Sequence, residues 1–252
     1  MLKVMTNKWG IMANPKLFRE NISGNLRRIA EFLNRKGVIN DVSPLYKAAS
    51  QCLNRGGDLW GYRIERLIFH KVGEIRVQSH KISSISLEVN VDIEGVCNID
   101  IGYDPLTKLS LDLSIMADCN EEEGLAPMSA WHLDRHSQNA NFSHPSYHFQ
   151  FGGNRMKYDH GQYGLVLITD SPRIPHPPMD GILGIDFAII NFWEVEKIRF
   201  RNEGEYTNLL SESINMLWKP YVENLHNYWQ QNAQLLQWKP HINWHQLPPK
   251  AI

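Results

Sequence analysis

The sequence predicts an α+β fold, an antiparallel β-meander sheet of about five to seven strands flanked by N-terminal and C-terminal helices. Two changes of hydrophobic period carry this prediction. Apolar residues recur at three- and four-residue steps over residues 1–57, alternate with polar residues over 60–170, and return to helical spacing over 178–252. No linker rich in glycine and serine divides the chain, so we expect residues 1–252 to form a single domain.

The composition is that of a soluble globular protein, with 42% hydrophobic and 21% charged residues. The net charge of −1 creates no overall field that would attract nucleic acid or anionic lipid. The sequence has neither an apolar stretch long enough to cross a membrane nor a signal-peptide pattern at its start. Its three cysteines form no CxxC pair, which is typical of a reducing compartment. We therefore predict a cytoplasmic protein without a membrane partner.

Two helices are predicted before the sheet. Asn14 is a candidate cap, and Pro15 suits the first helical position. An apolar stripe then follows at Phe18, Ile22, Leu26, Ile29 and Leu33. The second helix is predicted to be capped by Ser43, to begin at Pro44 and to end before the glycines at 56–57.

Six segments alternate apolar and polar residues as half-buried strands do, or are short apolar runs between turns. They are residues 85–93, 97–103, 109–115, 131–136, 147–152 and 164–169. A proline-dense connection over 172–178 then leads to residues 180–193, which are apolar on nearly every side and predict a buried helix. An aromatic-rich helical stripe follows, with a closing strap that contains Trp238 and Trp244.

Histidines concentrate in one part of the chain, where six of the eleven lie between residues 132 and 176. If 131–136 is a strand, then His132, Asp134 and His136 point to one face because side chains alternate. Antiparallel pairing with the strand over 147–152 would bring His148 opposite this row. The hairpin would then form a concave site with three or four histidines.

Two chemistries require such a set of side chains. A divalent metal such as zinc or manganese could be held by His132, His136 and His148, with Asp134 as a ligand or as the acceptor that orients one ring. The alternative is metal-free acid–base catalysis, in which one histidine removes a proton and another donates one. The spacing matches none of the established metal motifs, so both chemistries stay open.

An anionic substrate would need positive charge and free amides beside these histidines. Arg155 and Arg173 are the candidate cations. The glycines Gly152 and Gly153 could let the backbone approach an anion, although a strand-terminating turn is the more usual explanation of such a pair. His176 lies in the proline-dense segment, which could form a rigid wall of the site.

Asp186 lies inside the predicted buried helix. A buried carboxylate is costly without a partner, so we expect it to meet an arginine, a histidine or the metal itself. It is therefore the fourth candidate metal ligand, beside the three histidines.

These features predict an intracellular hydrolase, a phosphodiesterase or nuclease whose catalytic residues are His132, Asp134, His136, His148 and Arg173. Its partner would be an anionic small molecule or a nucleic acid. The alternative is a non-catalytic subunit of a multiprotein complex. In that case the C-terminal aromatics would form the interface with a protein partner, namely Trp218, Tyr221, Tyr228, Trp229, Trp238 and Trp244.

Overall fold

The computed structural model describes residues 14–70, 82–97, 104–119, 125–135, 145–152, 174–193 and 195–230. The helices in this part of the chain are α1 (Pro15–Arg35), α2 (Ser43–Leu53), α3 (Gly181–Phe192), a 3-10 helix (Val195–Asn202) and α4 (Gly204–Gln230). The strands are β1 (Leu59–Phe69), β2 (Ile82–Val96), β3 (Leu106–Cys119), β4 (Leu125–Arg135), β5 (Tyr147–Phe151) and β6 (Ile174–Pro175). This order confirms the α+β class.

The six strands form one sheet in the order of the sequence, and every neighbouring pair is antiparallel. The predicted meander is therefore present. Of the strand predicted over 97–103, only Cys97 is described; it is a buried residue that directly follows the end of β2 at Val96. The Cys97 N–H donates to the Asp58 carbonyl at 2.7 Å instead of continuing the ladder. Residues 98–103 and the strand predicted over 164–169 lie outside the described residues.

The predicted start of α1 is confirmed. The Asn14 side chain accepts hydrogen bonds from the N–H groups of Lys16 and Leu17, at 3.0 and 3.3 Å, and Pro15 begins the helix. The predicted start of α2 is wrong by one position. Ser43 is already helical, and its N–H and hydroxyl donate to the Asp41 carboxylate at 2.8 and 3.0 Å, so Ser43 does not act as the cap.

The helices cover one face of the sheet, and the other face is polar. The covered face carries the apolar residues of β1 to β5, including Ile64, Leu111 and Leu133, and these join α1, α3 and α4 in one core. α3 is buried along most of its length, as predicted, although Ile190 and Asn191 near its end are exposed. None of the described helices combines the length and the apolarity that crossing a bilayer requires.

The polar face consists of rows of side chains that run across the strands. The strand register places Asp92, Ser110, Asp134 and His148 in one row on β2 to β5. The neighbouring row contains Asn90, Asp112, His132 and Gln150. Several of these polar side chains are buried, which is costly unless they are paired or bind a ligand. This face therefore contains the candidate site.

Candidate functional site

A hairpin of β4 and β5 positions the central side chains of the site. Asp134 lies directly opposite His148 in the register, and His132 lies opposite Gln150. Because alternate residues of a strand share a face, His132, Asp134 and His148 all project from the polar side of the sheet. The structure thus brings together three of the residues that the sequence singled out.

The three side chains are close enough to act as one unit. Each offers one ligand atom, and these atoms all lie within 4.8 Å of one another. Nε2 of His132 lies 3.6 Å from Oδ2 of Asp134. The His132 and His148 rings are nearly perpendicular, with centroids 6.1 Å apart. The cluster is therefore compact, with a buried end and an accessible end, because His148 is 1% exposed whereas the Asp134 side chain is 33% exposed.

A buried hydrogen-bonded group of Asp104, Arg135 and Tyr147 fixes the register of the hairpin beside the site. The Tyr147 hydroxyl donates to Asp104 at 2.5 Å, and Nε of Arg135 donates to the other oxygen of Asp104 at 2.8 Å. Arg135 and Tyr147 are themselves paired across β4 and β5. A shift by one residue would turn His148 to the opposite face and break these contacts.

Burial has the largest effect on the pKa values of Asp104 and Tyr147. It raises the pKa of Asp104, although the Arg135 guanidinium opposes that rise. Burial and the nearby Asp104 carboxylate raise the pKa of the Tyr147 hydroxyl well above its usual value. Tyr147 therefore acts as a neutral hydrogen-bond donor.

The ligand set fits a divalent transition metal. Metal–nitrogen and metal–oxygen bonds of about 2.0–2.2 Å place ligand atoms roughly 3–3.5 Å apart in tetrahedral or octahedral sites. The separation of 3.6 Å between His132 and Asp134 is already close to this range. The other separations, which reach at most 4.8 Å, would have to shorten for all three atoms to bind one ion. Two imidazoles and one carboxylate would leave coordination positions open, as catalytic metal sites do.

Several other predicted site residues lie outside the described residues: His136, Gly153, Arg155 and Arg173. Gly152 is described, and it forms a turn at the end of β5. Its φ of +73° belongs to the left-handed region that glycine adopts without strain. Its N–H donates to the Ala130 carbonyl at 2.7 Å, so this amide is not available to a substrate anion. The geometry favours the turn over the anion-binding loop.

The structure places His176 on the other side of the sheet from the cluster. Its ring packs against Phe149 and Phe187 on the helix-covered face, at centroid distances of 5.7 and 6.4 Å. Nδ1 lies 2.6 Å from the Pro177 carbonyl. Burial lowers the pKa of His176, which favours its neutral form. His176 therefore does not lie beside His132 and His148, where a substrate-binding wall would require it.

Asp186 meets an arginine, one of the three partners that the sequence allowed. Arg201 donates to both carboxylate oxygens at 2.7 and 2.9 Å, and the Tyr206 hydroxyl adds a third hydrogen bond at 3.0 Å. The carboxylate lies in α3, within the helix layer, and is not part of the group formed by His132, Asp134 and His148. Asp186 therefore forms a structural ion pair with Arg201 and is not one of the candidate metal ligands that the structure brings together.

Two of the C-terminal aromatics predicted to bind a protein partner are used inside the molecule. Tyr221 is buried and contacts Tyr147 edge-on, at a centroid distance of 6.1 Å. The Trp218 indole N–H donates to the Pro178 carbonyl at 2.8 Å. The side chains of Tyr228, Trp229, Trp238 and Trp244 lie outside the described residues, so the predicted interface stays a prediction.

Sequence reasoning missed Asp112, which lies directly opposite His132 on β3. The available signal was the alternation of residues 109–115, which assigns Asp112 to the polar face. That signal does not say which strand pairs with β3 or at what register. Only the folded sheet places this carboxylate beside the histidines.

Comparisons with known proteins return no relative: no family model, curated protein or solved structure matches the chain. The chemistry of the site is therefore argued from the geometry of the chain's own residues.

Proposed function

We propose that this chain is a metal-dependent hydrolase of phosphodiesters or similar anionic substrates. A divalent ion, zinc or manganese, would be held by His132, Asp134 and His148. The observation that carries the proposal is the meeting of two imidazoles and one carboxylate within 4.8 Å on one face of the sheet. Sets of two histidines and one carboxylate are used by catalytic metal sites that keep open coordination positions.

The pattern of burial supports ligation over direct proton transfer. A general acid or base must come within about 2.6–3.2 Å of the substrate. His148 is 1% exposed, which suits a ligand beneath the ion better than a group that must reach a substrate. Asp134 marks the accessible side from which a substrate would approach. The ion would supply Lewis-acid polarisation of a phosphoryl oxygen, and Arg155 and Arg173 remain the predicted substrate-holding cations.

Metal binding is the first test. The purified chain should bind one equivalent of Zn²⁺ or Co²⁺ after dialysis against chelator. His132→Gln, Asp134→Asn and His148→Gln should each weaken binding by about 100-fold or more, because each ligand carries a large share of the roughly 10–16 kcal/mol of a full zinc site. His226→Gln is the matched control, since this exposed histidine lies on α4. Sub-stoichiometric binding that the three ligand variants do not change would refute the metal site.

Hydrolysis is the second test, with bis(p-nitrophenyl) phosphate as the probe. The proposal expects turnover that requires added Zn²⁺ or Mn²⁺ and is lost in Asp134→Asn. Turnover that persists in excess chelator but is lost in His148→Gln would instead support metal-free acid–base catalysis. A chain that binds metal but hydrolyses no phosphodiester would leave a metal-binding protein and remove the hydrolase assignment.

A further inference from the structure

Each of the two candidate ligands that pair across the β4–β5 hairpin has a neighbour in the chain that is bound to Asp104. Arg135 follows Asp134, and Tyr147 precedes His148. Nε of Arg135 donates to one oxygen of Asp104 at 2.8 Å, and the Tyr147 hydroxyl donates to the other at 2.5 Å. Because side chains alternate along a strand, these contacts lie on the helix-covered face, while both ligands point to the polar face. One carboxylate thus binds β4 and β5 directly behind the candidate site.

Asp104 is itself fixed to the start of β3. Its carboxylate accepts from the Leu106 N–H at 3.0 Å, and Arg135 also donates to the Thr107 carbonyl at 3.2 Å. The Asp104 side chain is 8% exposed, and Tyr147 is fully buried. Moving either strand would therefore leave a buried polar group unpaired, which is costly. The hairpin is bound to a fixed point of the sheet.

The apolar pattern of the hairpin does not by itself set the distance between the ligands. A shift of one residue is disfavoured because it would turn His148 into the core. A shift of two residues would keep apolar side chains such as Leu133 and Phe149 on the covered face. It would also move His148 by about 6.8 Å relative to Asp134, at roughly 3.4 Å per residue, which is too far for both to bind one ion. Contacts specific to one register, such as those of Asp104, oppose this shift.

Resting on the proposed metal site, we propose that Asp104 is its positioning residue, which holds Asp134 and His148 opposite each other by binding the neighbour of each. The ion needs both ligands in this register, so a molecule with a shifted hairpin does not bind it. The apparent dissociation constant rises as the competent fraction falls. Metal binding in turn stabilises the register that the Asp104 contacts select, because such coupling is reciprocal.

The chain offers a matched control for these contacts. Asp186 in the helix layer is bound by Arg201 and Tyr206, which are the same residue types that bind Asp104. Tyr206 is as fully buried as Tyr147. Loss of a hydrogen bond in either group should destabilise the fold to a similar extent, whereas the contacts of Asp104 are those that bind the hairpin.

A Co²⁺ titration compares the two groups. Tyr147→Phe removes the contact to β5, and Asp104→Asn weakens the contact to β4, so each should lower Co²⁺ affinity about 10-fold, the equivalent of one charge-assisted hydrogen bond. Tyr206→Phe and Asp186→Asn should change the affinity less than about 3-fold, because distant sites act independently. Urea denaturation of the four variants shows whether the matched pairs lose similar stability, which separates positioning from general destabilisation.

The pairing of the histidines can also be measured without metal. The rings of His132 and His148, with centroids 6.1 Å apart, should give an NMR cross-peak between ring protons that weakens in Tyr147→Phe and Asp104→Asn and persists in both controls.

If these two variants keep the wild-type cross-peak and, where wild type binds Co²⁺, its affinity, the positioning role is refuted and the metal site is judged on its own test. Equal losses of affinity in the controls would also refute it. If wild type binds no metal but the cross-peak depends on the Asp104 contacts, the proposed function fails, while the positioning of the two histidines by Asp104 is supported.

Discussion

Buried carboxylates in this protein are held by different kinds of partner. Asp180 caps α3 by accepting from the Leu183 N–H at 2.9 Å, and it also accepts from the Ser213 hydroxyl at 2.8 Å. Burial raises its pKa, and the hydrogen bonds from these neutral donors oppose that rise only in part. Asp186 is instead paired with the Arg201 guanidinium through two hydrogen bonds. Asp180 and Asp186 thus each have an identifiable structural role.

The ion pair of Asp186 can be tested by removing its cation. Arg201→Met should lower the free energy of unfolding by about 2 kcal/mol, because the carboxylate loses two charge-assisted hydrogen bonds and keeps only that of Tyr206. Urea denaturation measures this change. Lys219→Met is the control, since Lys219 forms an exposed pair with Glu223 at 3.9 Å and should cost less than about 1 kcal/mol. Equal losses in the two variants would contradict a structural role for Arg201.

At the scale of elements, α3 approaches the sheet closely because glycines face it. The Gly181 N–H donates to the Tyr62 hydroxyl at 2.9 Å, which joins the start of the helix to β1. One turn later, a Cβ on Gly184 would overlap Cδ1 of Leu111, which is itself fully buried. The absence of a side chain at Gly184 therefore sets the distance between the helix and β3.

A pair of glycine substitutions tests this packing. Gly184→Ala should lower the free energy of unfolding by roughly 1–3 kcal/mol, because the added methyl group overpacks the core. Gly24→Ala should raise it by about 0.5–1 kcal/mol, since Gly24 lies within α1 and a Cβ there would meet nothing within 4 Å. Thermal denaturation of both variants checks the sign of each change. Stabilisation by Gly184→Ala would show that the core has room for the methyl group.

At the scale of the whole molecule, the first and last of the described helices share one core. The Phe32 ring on α1 contacts the Tyr206 ring on α4 at a centroid distance of 5.3 Å. Arg35 also pairs with Glu205 at 2.6 Å. The two ends of the described chain therefore stabilise each other through both apolar and ionic contacts.

This shared core predicts that the chain unfolds as one unit. We expect a single transition in urea, with coincident midpoints by far-UV circular dichroism and by tryptophan fluorescence, because α1 and α4 cannot separate without exposing the same apolar residues. Midpoints that differ between the two probes would contradict the single domain that the sequence predicts.

Local patterns in the sequence were sufficient for much of the fold. Asn14 and Pro15 mark the start of α1 because capping depends on residues a few positions apart. Strand alternation assigns His132 and Asp134 to one face for the same reason. The candidate site was found because six histidines lie close together in the sequence, between residues 132 and 176.

Non-local contacts decided the rest. The sequence by itself determined the α+β class, the antiparallel meander and the pairing of two histidine-bearing strands, since these follow from period and order. Only the tertiary structure placed Asp112 opposite His132, moved His176 to the other face and paired Asp186 with Arg201. The physical reason is that register and helix packing depend on contacts between residues far apart in the chain, which periodicity does not encode.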